Sequence, residues 1–271
     1  RIVTTAIEHE SVLQSVAELE KQGFEVIRLM PDKQGRITEQ QVFDAVNSDT
    51  ILVSMMYVNN EVGSIMPVKS IKKAVKRANA PALIHIDCVQ AFGKLEVKPS
   101  KLGADLVTVT AHKIHGPKGV GALYLKKGTR ILPRVFGGEQ EKKLRPGTEA
   151  IPLIAGFGVA ADLIPDLKKQ SEKIKEINTY AKEGLLSVPG VKINSGDDAS
   201  DYIINLFVPT FMTSQTVVQH LSSKYGVYVS NGSACAKGKR SHVLTAMKLD
   251  DKIIEKSIRV SFSRTTTKGD I

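Results

Sequence analysis

Short apolar runs rich in β-branched residues recur through the first half of the chain. Each is separated from the next by a segment whose apolar positions fall three and four apart. Residues 51–58 and 82–86 are almost continuously apolar and 105–110 is a β-branched run, the pattern of strands covered on both faces of a parallel sheet. Residues 1–5 and 24–28 read as two further strands, and 119–125 as an antiparallel return. Between them, 9–22 predicts a helix with Val12, Leu13, Val16 and Leu19 on one stripe and Gly23 as its stop. Residues 38–46 predict a short helix capped by Thr38, and 68–78 a third helix.

The second half changes character. From Gly137-Gly138 to Thr148 no period is visible, and then 152–186 is helical, interrupted near Pro165. Residues 203–208 and 257–262 read as strands and 213–225 as a helix. The expected organisation is a large α/β domain over 1–150 with a mainly parallel sheet, a connecting helical segment over 151–186, and a smaller α+β domain over 187–271. The strand-like opening at Arg1 and the helix-start pattern in Thr266-Thr-Lys-Gly-Asp-Ile271 lead to the expectation that chain is missing at both ends.

Composition narrows the function classes. Hydrophobic residues make up 42% and charged residues 24% of 271, as in a globular protein. No apolar run approaches the roughly 20 residues that span a bilayer. The net charge of +10 raises nucleic acid as a partner. However, the cations are spread over helix faces (Lys72, Lys73, Lys76 and Arg77; Lys168, Lys169, Lys173 and Lys175), and 5% aromatics without tryptophan make a poor stacking platform. Neither nucleic acid nor membrane is therefore expected as a direct partner. The two cysteines, Cys88 and Cys235, form no CxxC pair, which argues against a disulfide framework and structural zinc and fits a reducing cytoplasm.

The candidate chemistry sits where the apolar runs end. Ligands of parallel sheets bind beyond the carboxyl ends of the strands, so Asn60, Asp87, Gln90 and Lys113 are expected in one crevice. A lysine at such an exit can lose its charge by desolvation and form a Schiff base. A nearby carboxylate can pair a pyridinium nitrogen, the combination that pyridoxal phosphate chemistry needs. Asp87 as a turn cap and His9 as a helix cap are the plain structural alternatives. Thr110 and His112, just before the lysine, could hold a phosphate; His85 and His115 read as packing or surface residues. Gly116-Pro-Lys-Gly-Val-Gly121 fits neither phosphate-loop pattern and is rejected as one. Gly147-Thr-Glu-Ala150 is expected to open a helix whose free amides bind an anion, with Arg145 adding charge. Cys235 lies among small residues and is followed by Lys237, Lys239 and Arg240, which favour a thiolate; Cys88 reads as structural. Arg259, inside a β-branched strand, needs a carboxylate, either a substrate's or a structural one.

These pieces stand in a recognisable order: Glu8-His9, Val58-Asn-Asn-Glu-Val-Gly63, His85-Ile-Asp-Cys-Val-Gln90, Ala111-His-Lys-Ile-His-Gly-Pro-Lys-Gly119, Arg145-Pro-Gly-Thr148, Ser230-Asn-Gly-Ser-Ala-Cys235 and Ser257-Ile-Arg-Val-Ser261. Together they resemble the cysteine desulfurases of the NifS/IscS type, in the class V aminotransferase family. The resemblance implies fold type I of the pyridoxal 5'-phosphate enzymes and a homodimer. It implies that Lys113 carries the cofactor and moves the α-proton, Asp87 pairs its ring nitrogen, and His9 stacks on the ring. It further implies that Asn60 and Gln90 bind the phenolic oxygen, with Thr110 and His112 on the phosphate and Thr148 reaching it from the partner subunit. Asn60 and Arg259 would hold the substrate L-cysteine, Arg259 by its carboxylate. Cys235 would take its sulfur as a persulfide and pass it to an acceptor or scaffold protein for iron–sulfur clusters, thio-cofactors or tRNA.

The chain departs from the family pattern upstream of Arg1, where a glycine/threonine phosphate turn is expected, and at Cys88, where a small residue is expected. Another class V activity, selenocysteine lyase or aminotransfer, and a non-catalytic sulfur relay are the alternatives. Neither lyase nor aminotransferase needs a loop cysteine.

Overall fold

The computed structural model describes residues 1–232 and 240–271. Its larger sheet has six strands: β1 (Ile2–Thr5), β2 (Val26–Leu29), β3 (Leu52–Met56), β4 (Leu83–Asp87), β5 (Leu106–Thr110) and β6 (Gly121–Leu125), in the order β2-β1-β3-β4-β5-β6. The first five are parallel and β6 returns antiparallel to β5. The order reverses direction between β1 and β3. A crevice therefore opens beyond their carboxyl ends, where the two crossovers diverge.

The connecting helices follow the sequence pattern. Helix α1 (Glu10–Lys21) buries Val16, and α2 (Glu39–Ala45) opens with a reciprocal cap in which Thr38 accepts from Gln41 N–H and Gln41 accepts from Thr38 N–H. Helix α3 (Val68–Arg77) buries Val68, Ile71 and Ala74 and leaves its lysines in solvent. A short turn of helix, α4 (Pro99–Leu102), ends at Gly103 in the left-handed region, φ 69°. The core of this layer joins Val3, Val53, Met55, Ile71, Ile84, Ile86 and Val107.

Two helices follow the irregular stretch, α5 (Ile151–Asp162) and α6 (Leu167–Leu186), broken at Pro165 as the pattern predicts. A second, antiparallel sheet contains β7 (Lys192–Ile193), β8 (Ile203–Phe207) and β9 (Ser257–Ser261), with α6 and α7 (Ser214–Tyr225) packed on it through Ile174, Ile177 and Val217. Two five-residue helices, α8 (His242–Ala246) and α9 (Asp251–Glu255), return to the first core, where Val243, Leu244 and Met247 are buried. The sequence ends in a 3-10 turn, Lys268–Asp270, capped by Thr267.

Three expectations are corrected. The third strand, expected to run to Val58, stops at Met56, because the Asn59 side chain takes over: its Oδ1 accepts from the N–H of Glu61 and Val62 and folds the chain back. Lys113 lies beyond the end of β5, in a 3-10 turn (Ala111–Lys113). Gly147 does not open a helix: α5 begins at Ile151, and the Gly147 N–H donates to Gln140 Oε1 at 3.2 Å, so that amide is not free for an anion.

Candidate active site

Each strand of the crevice delivers a polar group at its carboxyl end. After β1 come Glu8 and His9. His9 caps α1, its Nδ1 accepting from Ser11 N–H at 3.2 Å, while its ring faces the crevice; the capping and the chemical readings hold together. Glu8 is fully buried. Its two oxygens accept from Met56 N–H at 3.0 and 2.9 Å, and Thr5 Oγ1 donates to one of them at 2.7 Å. Burial pushes this carboxyl up to about 8, against those hydrogen bonds.

Asp87, the last residue of β4, accepts from Val89 N–H at 2.8 Å. Burial raises its pKa above the usual carboxylate range, opposed by the Val89 bond and by the nearby rings of His85 and His9. A Glu8 raised this far holds its proton near neutrality, which removes a competing charge from beside Asp87. His85 bridges Ser54 and Thr108 across the sheet, a packing role, and burial lowers its pKa. Cys88 is buried too, its thiol pushed up to about 12, which makes it inert.

Beyond β5, Thr110 Oγ1 lies 2.9 Å from His112 Nδ1, and partial burial with the neighbouring Lys113 and Lys118 lowers the His112 pKa. Arg259, on β9, reaches across from the second sheet, and its Nη1 donates to the Asn60 carbonyl at 2.7 Å. Its Nε is buried and has no hydrogen-bond partner among the described residues.

These side chains enclose a cavity of about 380 Å³ lined by His9, Asn60, Asp87, Gln90, Thr110, His112, Lys113 and Arg259, with Met56, Val58 and Val89 as apolar walls. Eight of the ten residues singled out from the sequence thus meet in one place. Thr148 does not line it and is exposed, and Cys235 lies outside the described residues, as do Lys237 and Lys239. Arg240, expected to favour a thiolate, is instead held by Asp251 and Glu255 at 2.9 Å each.

The donor set fits pyridoxal 5'-phosphate. One cavity is lined by an amine (Lys113), a carboxylate (Asp87), imidazoles (His9, His112), a hydroxyl (Thr110) and apolar walls, the groups that this cofactor's aldehyde, ring and phosphate call for. The orphaned Arg259 Nε adds a buried donor suited to an anion. Sequence reasoning passed over Glu8, whose importance comes from its contact with Met56 48 residues away, and Lys94, which donates to Gln90 Oε1 at 3.0 Å. The Glu8-His9 pair was the signal for the first; spacing gave none for the second.

Comparison with known proteins agrees with the geometry. The family model Aminotransferase class-V matches residues 1–271. Cysteine desulfurase IscS of Methanosarcina thermophila is 38% identical over 274 residues, covering 100% of this chain and 67% of that protein. Cysteine desulfurase 2 of Trichormus variabilis is 37% identical over 273 residues, covering 100% of the chain and 68% of that relative. Among solved structures, a NifS-like protein superposes with a TM-score of 0.91 at 35% identity, covering 99% of this chain and 71% of its own.

Proposed function

This chain belongs to the aminotransferase class-V family, and from that membership we propose that it is a pyridoxal 5'-phosphate-dependent cysteine desulfurase. L-Cysteine and the thiol of Cys235 give L-alanine and a persulfide on Cys235, and the terminal sulfur passes to an acceptor or scaffold protein. The observation that carries the reading is the single cavity shared by Lys113, Asp87, His9 and Arg259.

When bound, the cofactor supplies an electron sink that weakens bonds at the substrate's α- and β-carbons. Lys113 would hold it and carry the α-proton. Asp87, with one oxygen fixed by the Val89 N–H, would pair the ring nitrogen. His9 would lie on the ring face, Asn60 and Gln90 would serve the phenolic oxygen, and Thr110 and His112 the phosphate. Arg259 takes the substrate carboxylate, with Asn60 beside it; the Arg259 Nη1 bond to the Asn60 carbonyl orients the guanidinium. Cys235 attacks the substrate sulfur, so the Cβ–S bond breaks as the S–S bond forms.

We read residues 1–150 as the cofactor-binding domain, 151–186 as the connecting segment and 187–271 as the smaller domain. A homodimer is supported by α5, where Ile151, Ile154 and Val159 are exposed on an apolar helix, and by the exposed Leu163 that follows it. In such a dimer Thr148 serves the partner's phosphate. A cytoplasmic site of action suits the free, buried Cys88; no helix among the described residues is long and apolar enough to cross a membrane.

The test is to supply the full-length protein with pyridoxal 5'-phosphate and L-cysteine and measure alanine, sulfide and transferred sulfur. Equimolar alanine and transferable sulfur, the latter lost in Cys235→Ala, is the expected result. Unchanged sulfur transfer in that variant rejects the nucleophile.

A further inference from the structure

The side chain of Gln90 presents an amide with two different ends to the cavity, and nothing in its own geometry decides which end faces in. Lys94 decides it. The two residues are four apart on the turn that follows β4, and Lys94 Nζ donates to Gln90 Oε1 at 3.0 Å. An ammonium has donors and no acceptor, so it can bind only the oxygen end of an amide. The NH2 end is thereby turned away from Lys94 and kept as a donor.

Lys94 is itself held from the other side of the molecule. Its ammonium stands 5.4 Å from the centre of the Tyr202 ring, just ahead of β8, a cation–π distance. The Tyr202 hydroxyl accepts from Gln170 Nε2 on α6, and Gln170 Nε2 also lies 3.4 Å from the Gly93 carbonyl beside Lys94. These groups border a second cavity of about 150 Å³, which shares Lys113 and His112 with the first. The position is costly for a cation. Burial, with the charges of Lys113 and Arg259, brings Lys94 down to about 8.

We propose that Lys94 is a positioning residue that fixes the Gln90 amide with its NH2 toward the cofactor's phenolic oxygen and links that contact to the second sheet through Tyr202. The inference rests on the reading of the large cavity as the pyridoxal 5'-phosphate site. With Lys94 lost, Gln90 can turn its carbonyl inward, placing an acceptor against an acceptor oxygen.

The experiment is an absorbance titration of the full-length protein with pyridoxal 5'-phosphate, giving both the dissociation constant and the absorbance maximum of the bound form. It is run on wild type, Lys94→Met, Lys94→Arg, Gln90→Leu and the Lys94→Met/Gln90→Leu double variant. Lys94→Met should weaken binding about tenfold and shift the maximum, and Lys94→Arg, which keeps the donors, should restore both. Lys94→Met should add nothing further in the Gln90→Leu background, because both changes break the same contact. Binding within twofold of wild type and an unchanged maximum in Lys94→Met, or additive losses in the double variant, overturns the inference. Should Lys94→Met not fold, Lys94→Ala is titrated in its place: a shifted maximum supports the inference and a wild-type maximum overturns it. Wild-type protein that binds no cofactor overturns the reading of the site, and this inference with it.

Discussion

The Met56 backbone N–H donates to both carboxylate oxygens of Glu8, at 3.0 and 2.9 Å, and so ties the exit of β1 to the end of β3. Met56 is also the strand partner of Asp87. The buried Glu8 and the acid of the cavity therefore occupy adjacent positions at the carboxyl edge of one sheet, and only one of them can readily stay charged.

This pairing fixes a pH dependence. The Glu8 carboxyl is raised from 4.5 to about 8, so between those values the folded protein binds more protons than the unfolded chain. The contribution is fully present below 4.5 and is lost as pH rises through about 8. Urea midpoints measured on either side of that window should fall with pH in wild type more than in Glu8→Gln. Parallel slopes for the two proteins contradict the assignment.

Asp87→Asn keeps an oxygen for the Val89 N–H and removes the charge. The fold should be intact by circular dichroism, while alanine formation drops by at least about a hundredfold. Activity within a few-fold of wild type shows that the charge at position 87 is not what the reaction uses.

Cys88, with a thiol pushed up to about 12, should resist iodoacetamide at neutral pH in the folded protein and react once the protein is unfolded. Peptide mass mapping reads it separately from Cys235. Rapid labelling of Cys88 in the native state contradicts its burial.

Gly63 closes the Asn59 turn with φ 77°, and a Cβ there would stand 3.2 Å from Ile203 Cβ and 3.4 Å from the Ser200 carbonyl. Gly63→Ala should cost about 1–2 kcal/mol, seen as an earlier denaturant midpoint. Because Ser200 N–H donates to the Gly63 carbonyl at 2.8 Å, the loss falls on the contact between the turn after β3 and the segment that leads into β8.

The strands of the large sheet were legible because burial on both faces forces continuous apolar runs, and their exits pointed to Asp87 and Lys113. The helices α8 and α9 were not, since five residues are too few for a 3.6 period to register. Asn59 hid the true end of β3: a side chain that replaces the ladder leaves no gap in apolar character. Glu8 and Lys94 carry meaning only through Met56, Gln90 and Tyr202. The bond to Met56 and the stacking on Tyr202 span long stretches of chain, and the contact with Gln90, four residues away, leaves no mark in the spacing.

The most direct test of the account is to load the full-length protein with pyridoxal 5'-phosphate, reduce it with borohydride and map the modified peptide by mass spectrometry. The account predicts a pyridoxyl group on the ε-amine of Lys113 and on no other lysine. A pyridoxyl group on Lys94, or a protein left unmodified, contradicts it.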